Sequence, residues 1–312
     1  MKKTILSLLS LLIFTCVASF SLERAVVSIV FTNKNEQYVQ AVEGFKKFLK
    51  ENNINLWFSE YNLEGKEEKG GIILSEIKNK KPDIIVAVGT LAAKIVSKNI
   101  NDIPVVFCMV MSETSIEKKP NITGVLMDIP LEIKFDYLKK VLPKAKSIGV
   151  VYTSNTEKTF EEMLTLSKEK GYKIIGKKIN SEKEFPEALS DLLSQIDIFW
   201  MIADSNIYSI YSVKHLILEC FKNKVPLFGL SLAYTKAGAL LSLDCNYEDM
   251  GKQAGEIGLK IIQSIKPENI PVEVPRKAEL SINLIAAQKM GIEISKEILK
   301  ETKEILKDEN SN

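Results

Sequence analysis

The chain has 312 residues, 46% apolar and 26% charged, ordinary values for a globular protein and enough for one large core or two moderate ones. Lys2 and Lys3 carry the whole formal charge of +2, so the remainder is neutral. No basic stripe interleaved with aromatics marks a nucleic-acid surface, and the spacing of Cys108, Cys220 and Cys245 argues against a disulfide framework or a zinc site.

Lys2 and Lys3 precede an apolar run from Ile5 to Phe14, and small residues follow at Ala18, Ser19 and Ser21. That order is read as a secretory signal over residues 1–21, cleaved after Ser19 or Ser21, which sends the rest to a periplasmic or other extracytoplasmic space. A lipid anchor at Cys16 is the weaker alternative, because Phe14 and Thr15 make a poor lipobox.

Strand-like and helix-like segments then alternate. Ala25 to Phe31 is a β-rich run, and Glu36 to Glu51 has apolar residues at helical spacing. Leu56 to Tyr61 is strand-like, and Lys66 to Lys80 is helical with Ile72, Ile73 and Ile77 turned inward. Asp83 to Val88 is a buried strand stopped by Gly89, a short helix covers Leu91 to Lys98, and Pro104 to Val110 is the next strand. Met111 to Asp128 breaks the rhythm. The pattern resumes with a helix from Leu131 to Leu142, a strand from Ser147 to Tyr152 and a helix ending at Lys170. A strand from Lys173 to Ile179, a helix from Glu184 to Gln195, a strand from Ile198 to Ala203 and a helix from Ile207 to Asn223 follow. Short strands at Pro226 to Leu230 and Ala239 to Leu243 lead into a helix from Tyr247 to Ile265, and Ser295 to Lys307 reads as a surface helix.

Two βα arrays joined by an irregular crossover imply an α/β fold of two doubly wound parallel-sheet lobes with a multi-strand hinge. Lobe 1 is assigned residues 22–125 and 242–270, and lobe 2 residues 126–241 and 271–312. The hinge crossings fall near residues 124, 241 and 271.

Several stretches follow one family pattern in order and spacing. They are Gly89-Thr90-Leu91-Ala92-Ala93, Ile103 to Phe107, Asn121 to Val125, Val141 to Tyr152, Pro226 to Ile262, and Ile282 to Ile292. Over roughly residues 83 to 293 the chain resembles the ABC transporter substrate-binding proteins of the tryptophan/tyrosine-binding type, with a type I periplasmic-binding-protein fold. The loops Thr32 to Glu36 and Met111 to Thr114 depart from the family's usual sequences there, as does Met201 to Asn206. The resemblance implies capture of a small molecule between two closing lobes, for import through a membrane permease and an ATPase, by a protein that works as a monomer. An amino acid, aromatic or branched, is the default ligand.

Ligands of open parallel sheets bind at the carboxyl ends of strands. Between two such lobes the candidate ligand-binding residues are Thr32, Gly89, Thr90, Leu91, Ser112 and Asp244 from the first and Asn155, Asp204, Ser205 and Ser231 from the second. Backbone amides at Gly89 and Thr90, which open a helix, suit a carboxylate. Asp204 and Asp244 suit an ammonium group, while Asp204 as a cap on the helix from Ile207 is the plainer alternative. Tyr61, Tyr152 and Phe31 either stack on a ligand or pack at strand ends.

No catalytic set is visible. His215 is the single histidine and sits mid-helix, and there is no G-x-S-x-G, Walker loop or spaced metal cluster, so neither enzyme activity nor a cofactor is expected. Gly251, Gly255 and Gly258 lie within a helix and are read as close helix–sheet packing. A receptor that passes ligand occupancy to a membrane kinase would share this fold and site.

Overall fold

The computed structural model describes residues 24–308, and the expected signal segment and Cys16 lie outside them. The first array runs β1 (Arg24–Phe31), α1 (Glu36–Glu51), β2 (Asn55–Asn62), α2 (Gly70–Lys80), β3 (Ile84–Val88), α3 (Thr90–Asn99), β4 (Val105–Val110) and β5 (Ile122–Leu126). Its five strands are parallel in the order β2-β1-β3-β4-β5. β3 and β4 are buried along their whole length, which is why they read as continuous apolar runs. β5 falls in the stretch expected to be irregular: its five residues, ITGVL, are too short and too mixed to announce a strand without its neighbour β4.

Local chemistry explains the helix ends. The Asn35 side chain accepts the Tyr38 amide and caps α1, which buries Ala41, Val42, Phe45 and Leu49. In α2 the inward residues are Leu74 and Ile77, whereas Ile72, expected inside, is 70% exposed. The buried face follows Gly70, Leu74 and Ile77 at i, i+4 and i+7, which leaves Ile72 on the opposite side.

The second array runs α4 (Leu131–Val141), β6 (Ser147–Tyr152), α5 (Glu157–Lys170), β7 (Lys173–Lys178), α6 (Phe185–Leu193), β8 (Ile198–Trp200), α7 (Ile210–Asn223), β9 (Leu227–Gly229), α8 (Leu232–Ala237) and β10 (Leu241–Cys245). α9 (Tyr247–Ile262) follows, then β11 (Ala278–Asn283), α10 (Leu284–Met290), α11 (Lys296–Glu301) and β12 (Thr302–Leu306). The seven-stranded sheet has the order β12-β11-β10-β9-β8-β6-β7. β11 runs antiparallel to β10, and β12 parallel to β11.

Two expectations are corrected by the strand pairing. β10 pairs with β9 and β11, so residues 242–245, including Asp244, belong to the second sheet and the crossing lies at Asn246 rather than near 241. The end of the chain, expected as one surface helix, is α11 followed by edge strand β12, because β11 offers an open edge that the segment fills.

α9 returns to the first lobe and packs on α1 backbone to backbone. A Cβ on Gly251 would lie 1.7 Å from the Ala41 carbonyl oxygen, and one on Gly44 2.1 Å from that of Glu248. Gly251 and Gly255 therefore serve helix–helix contact, where helix–sheet packing was expected, while Gly258 faces both Phe45 of α1 and Ile84 of β3. α1 and α9 cover one face of the first sheet with Phe45, Ala254, Ile257 and Ile261, while Leu74, Ile77, Ala92 and Val96 of α2 and α3 cover the other.

Candidate functional site

At the carboxyl end of the first sheet, Gly89 takes φ +91°, and a Cβ there would meet Thr32 Oγ1 at 2.7 Å and the Tyr38 ring at 2.8 Å. Only glycine accepts that backbone without strain. The Gly89 amide donates to the Cys108 carbonyl at 2.9 Å, which fixes the start of α3 against β4. Thr32 Oγ1 accepts the Ala92 amide at 3.0 Å, and Thr90 Oγ1 accepts the Met111 amide at 3.5 Å. The Thr90 and Leu91 amides have no acceptor among the described residues, so α3 presents two open donors at its N-terminus. Ser112 is occupied within its own turn, where its hydroxyl accepts the Thr114 amide and pairs with the Thr114 hydroxyl at 2.8 Å.

In the second sheet, Asp204 is 6% exposed and accepts three hydrogen bonds. Thr153 Oγ1 and Thr156 Oγ1 donate to its Oδ2 at 2.7 and 2.8 Å, and the Asn206 amide donates to Oδ1 at 2.9 Å. Burial opposes its charge, but these donors outweigh burial and hold its carboxyl below the usual range. Asp204 thus ties the loop after β6 to the loop after β8. It does not cap α7, which begins at Ile210 with Ser209 as its cap. Asn155 and Ser205 sit exposed on those same loops.

The third group lies where the two arrays meet. Gln37, in the first turn of α1, lines a pocket of about 470 Å³ together with Ser231, Lys236, Asp244, Tyr247 and Glu279. Ser231 precedes α8 and Asp244 sits on β10, so side chains from both arrays share one concave surface. Asp244 Oδ2 accepts the Leu232 amide at 2.9 Å, and Oδ1 has no partner among the described residues. Burial, with the nearby Glu279 charge adding to it, pushes the Asp244 carboxyl above its ordinary value. Burial likewise pushes the Tyr247 hydroxyl up to about 12, with Asp244 adding to the effect. Glu279 is itself held by Asn246 Nδ2 at 2.7 Å and by Lys303 at 3.7 Å.

The expected site residues thus fall into three clusters: Thr32, Gly89, Thr90 and Leu91; Asn155, Asp204 and Ser205; and Ser231 with Asp244. Ser112 joins none of them. Gln37, Lys236, Tyr247 and Glu279 were missed. Gln37 and Tyr247 follow strand ends and were legible by reading one step further into each helix, whereas Glu279 depends on β11. The aromatics resolve as packing: Tyr152 stacks on Phe160 with centroids 4.0 Å apart, and Phe31 is buried. The thiol of Cys245, which lies beside this pocket, is buried and pushed up to about 12 by that burial, so it is a poor nucleophile. No group of His, Cys, Asp and Glu among the described residues could hold a metal ion, and none of the described helices is long and apolar enough to cross a membrane.

The profile of a family described as ABC transporter substrate binding protein matches residues 25–306. A curated relative, the tyrosine-binding protein of Clostridioides difficile, is 26% identical over 260 residues, 78% of this chain and 74% of the relative. Among solved structures, a ligand-free, open substrate-binding protein with adhesive properties from Clostridium difficile superposes with a TM-score of 0.74 at 23% identity, over 91% of this chain and 99% of that one. A domain from Streptococcus pneumonia in complex with L-Trp superposes with a TM-score of 0.57 at 22% identity, over 90% and 100%.

Proposed function

The chain belongs to the family of ABC transporter substrate-binding proteins, and from that premise we propose that it is the extracytoplasmic receptor of an importer that captures an amino acid between its two lobes. The receptor delivers its solute to a membrane permease driven by an ATPase, acts as a monomer and does no chemistry on what it binds. The observation that carries the amino-acid reading is Asp244: a half-buried carboxylate, raised in its proton affinity, with one oxygen open to a pocket that both arrays line. Such a group gains most from a ligand cation, because an ammonium both pairs its charge and replaces the lost water. The open Thr90 and Leu91 amides at the start of α3 supply the matching donors for a ligand carboxylate. Asn155, Ser205 and Ser231 are the polar groups placed to complete the contacts, and Asp204 holds two of their loops. Lobe 1 comprises the first sheet with α9, lobe 2 the second sheet, and closure about the three crossings encloses the solute.

Residues 1–21, read as an export signal, support the extracytoplasmic placement. The tyrosine-binding relative and the neighbour in complex with L-Trp make aromatic L-amino acids the first members of a ligand panel. The test is a thermal-shift screen of residues 22–312 against L-amino acids, nucleosides, sugars and organic acids. A ligand at 100 times its Kd adds about 2.7 kcal/mol to the folded state. The reading requires a shift with an L-amino acid that Asp244→Asn abolishes. A shift that survives Asp244→Asn removes the proposed ammonium partner, and a shift produced by sugars alone removes the amino-acid reading.

A further inference from the structure

The chain crosses between the sheets three times: through residues 127–130, at Asn246, and through residues 271–277. The third crossing is fastened far more firmly than its length requires. Gln253 of α9, 3% exposed, donates to Glu273 Oε2 and to the Val274 carbonyl, both at 3.0 Å, and accepts the Arg276 amide at 3.3 Å. Arg276 spreads its guanidinium over two carboxylates of the same helix. Nε donates to Asp249 at 2.9 Å, and the two terminal nitrogens grip Glu256 at 2.9 and 3.0 Å. Asp249, 7% exposed, also meets Lys277 at 3.1 Å. Burial disfavours the Asp249 charge, yet the bonds from Arg276 and Lys277 prevail and hold its carboxyl below the usual range.

Glu273 adds a backbone tie. Its amide donates to the Gly124 carbonyl and its carbonyl accepts the Leu126 amide, each at 2.9 Å, so it lies against the edge of β5. From Glu273 to Lys277 the crossing is therefore bound to elements of the first lobe. At the next residue the attachment changes: Ala278 pairs with Cys245 in the second sheet. The second crossing changes lobes at the same level. The Asn246 side-chain oxygen caps α9 by accepting the Asp249 amide at 2.7 Å, its Nδ2 donates to Glu279 of β11 at 2.7 Å, and its amide donates to the Lys277 carbonyl at 3.4 Å.

We propose that the third crossing moves as a rigid part of the first lobe, clamped by Arg276 to Asp249 and Glu256, so that its pivot is confined to the step from Lys277 to Ala278 beside the Asn246 pivot. Two adjacent one-step pivots leave few soft dihedrals and define a narrow axis of rotation. With the clamp released, the soft link extends back from Lys277 over residue 276, whose amide keeps only the 3.3 Å bond to Gln253, and stops at the fixed φ of Pro275, since Glu273 stays paired with β5. Arg276 is then a positioning residue for lobe closure. The inference rests on the receptor reading above only in taking the two lobes to rotate.

The test uses ligand-free protein. Nitroxide labels at Lys94→Cys and Lys214→Cys, both exposed and on different lobes, report the distribution of interlobe distances, the native Cys108, Cys220 and Cys245 being buried. Hydrogen exchange reports the crossing itself. Arg276→Ala raises exchange of the amide at position 276, which donates to Gln253, by about tenfold or more, leaves the Glu273 amide and the β11 amides protected and broadens the distance distribution. Glu256→Gln, which keeps the Asp249 bond, gives a smaller change of the same kind. Exchange that rises in β11 together with the crossing overturns the assignment to the first lobe. A crossing that loosens while the distance distribution keeps its wild-type width overturns the role in rotation. Because no ligand is present, a failure to find an amino-acid ligand leaves both measurements decisive.

Discussion

Asp204→Ala separates a residue that builds the second lobe's loops from one that only greets a ligand. The carboxylate accepts from Thr153, Thr156 and the Asn206 amide at 2.7, 2.8 and 2.9 Å, and Thr153 and Thr156 are 3% and 8% exposed. A hydrogen bond to a charged group contributes roughly 1.5–3 kcal/mol, and a buried donor left alone costs about 1–3 kcal/mol. The Thr156 hydroxyl keeps a fallback on the Thr153 carbonyl at 3.5 Å, and Asn206 is exposed to water, so the three losses do not add in full. The expected net loss is about 3 kcal/mol in urea unfolding at pH 7, or roughly 6–12 °C in Tm for a chain of this size. The folded carboxyl is held below its unfolded value of about 3.9, so its contribution is complete above that pH and is lost as pH falls through the folded value. The gap between wild type and Asp204→Ala must therefore shrink as unfolding is repeated from about pH 4 downward. A gap under about 1 kcal/mol at pH 7, or one that stays constant into acid, would refute the reasoning. If folded Asp204→Asn also loses its thermal shift with a solute that stabilises wild type, the carboxylate reaches the ligand as well.

Asp244→Asn carries the opposite signs. Its folded carboxyl is raised, so ionisation costs stability at neutral pH, and the variant unfolds at the same or higher urea concentration at pH 7 while binding an amino-acid solute at least about tenfold more weakly by calorimetry. A variant less stable than wild type at pH 7 contradicts this. Gly251→Ala forces a Cβ to 1.7 Å from the Ala41 carbonyl oxygen, so α1 and α9 must part. Overpacking of about 1–3 kcal/mol or more exceeds the gain of about 1 kcal/mol from replacing a helical glycine, and denaturant unfolding should show a net loss. A more stable Gly251→Ala protein would mean the helices are not in backbone contact. Gly89→Ala strains a φ of +91° and pushes on Thr32 and Tyr38, so both Tm and solute affinity should fall, and affinity unchanged in a folded variant removes the α3 N-terminus from the site.

The local pattern of residues was sufficient wherever an element is stabilised by its own periodicity and ends. Helix Glu36–Glu51 and strand Ser147–Tyr152 stand where the apolar spacing and end residues put them, and the alternation of strand and helix produced two sheets of mostly parallel strands. Gly89, Thr90, Asp204 and Asp244 were legible as strand-end residues for the same reason. What the sequence did not contain was the partner of each strand. β5, β11 and β12 are short, mixed segments that become strands only because β4, β10 and β11 present edges to them. Without β11, neither the place of Asp244 in the second sheet nor the nearness of Glu279 to it could be read. Asp204 shows the same limit in a side chain: three residues away it resembled a helix cap, and only the approach of Thr153 and Thr156 from another strand's loop made it a tie between loops. Hydrogen bonds between residues distant in the chain leave no periodic signature, so the elements were written in the sequence, while the edges, the pivots and the pocket were decided by packing.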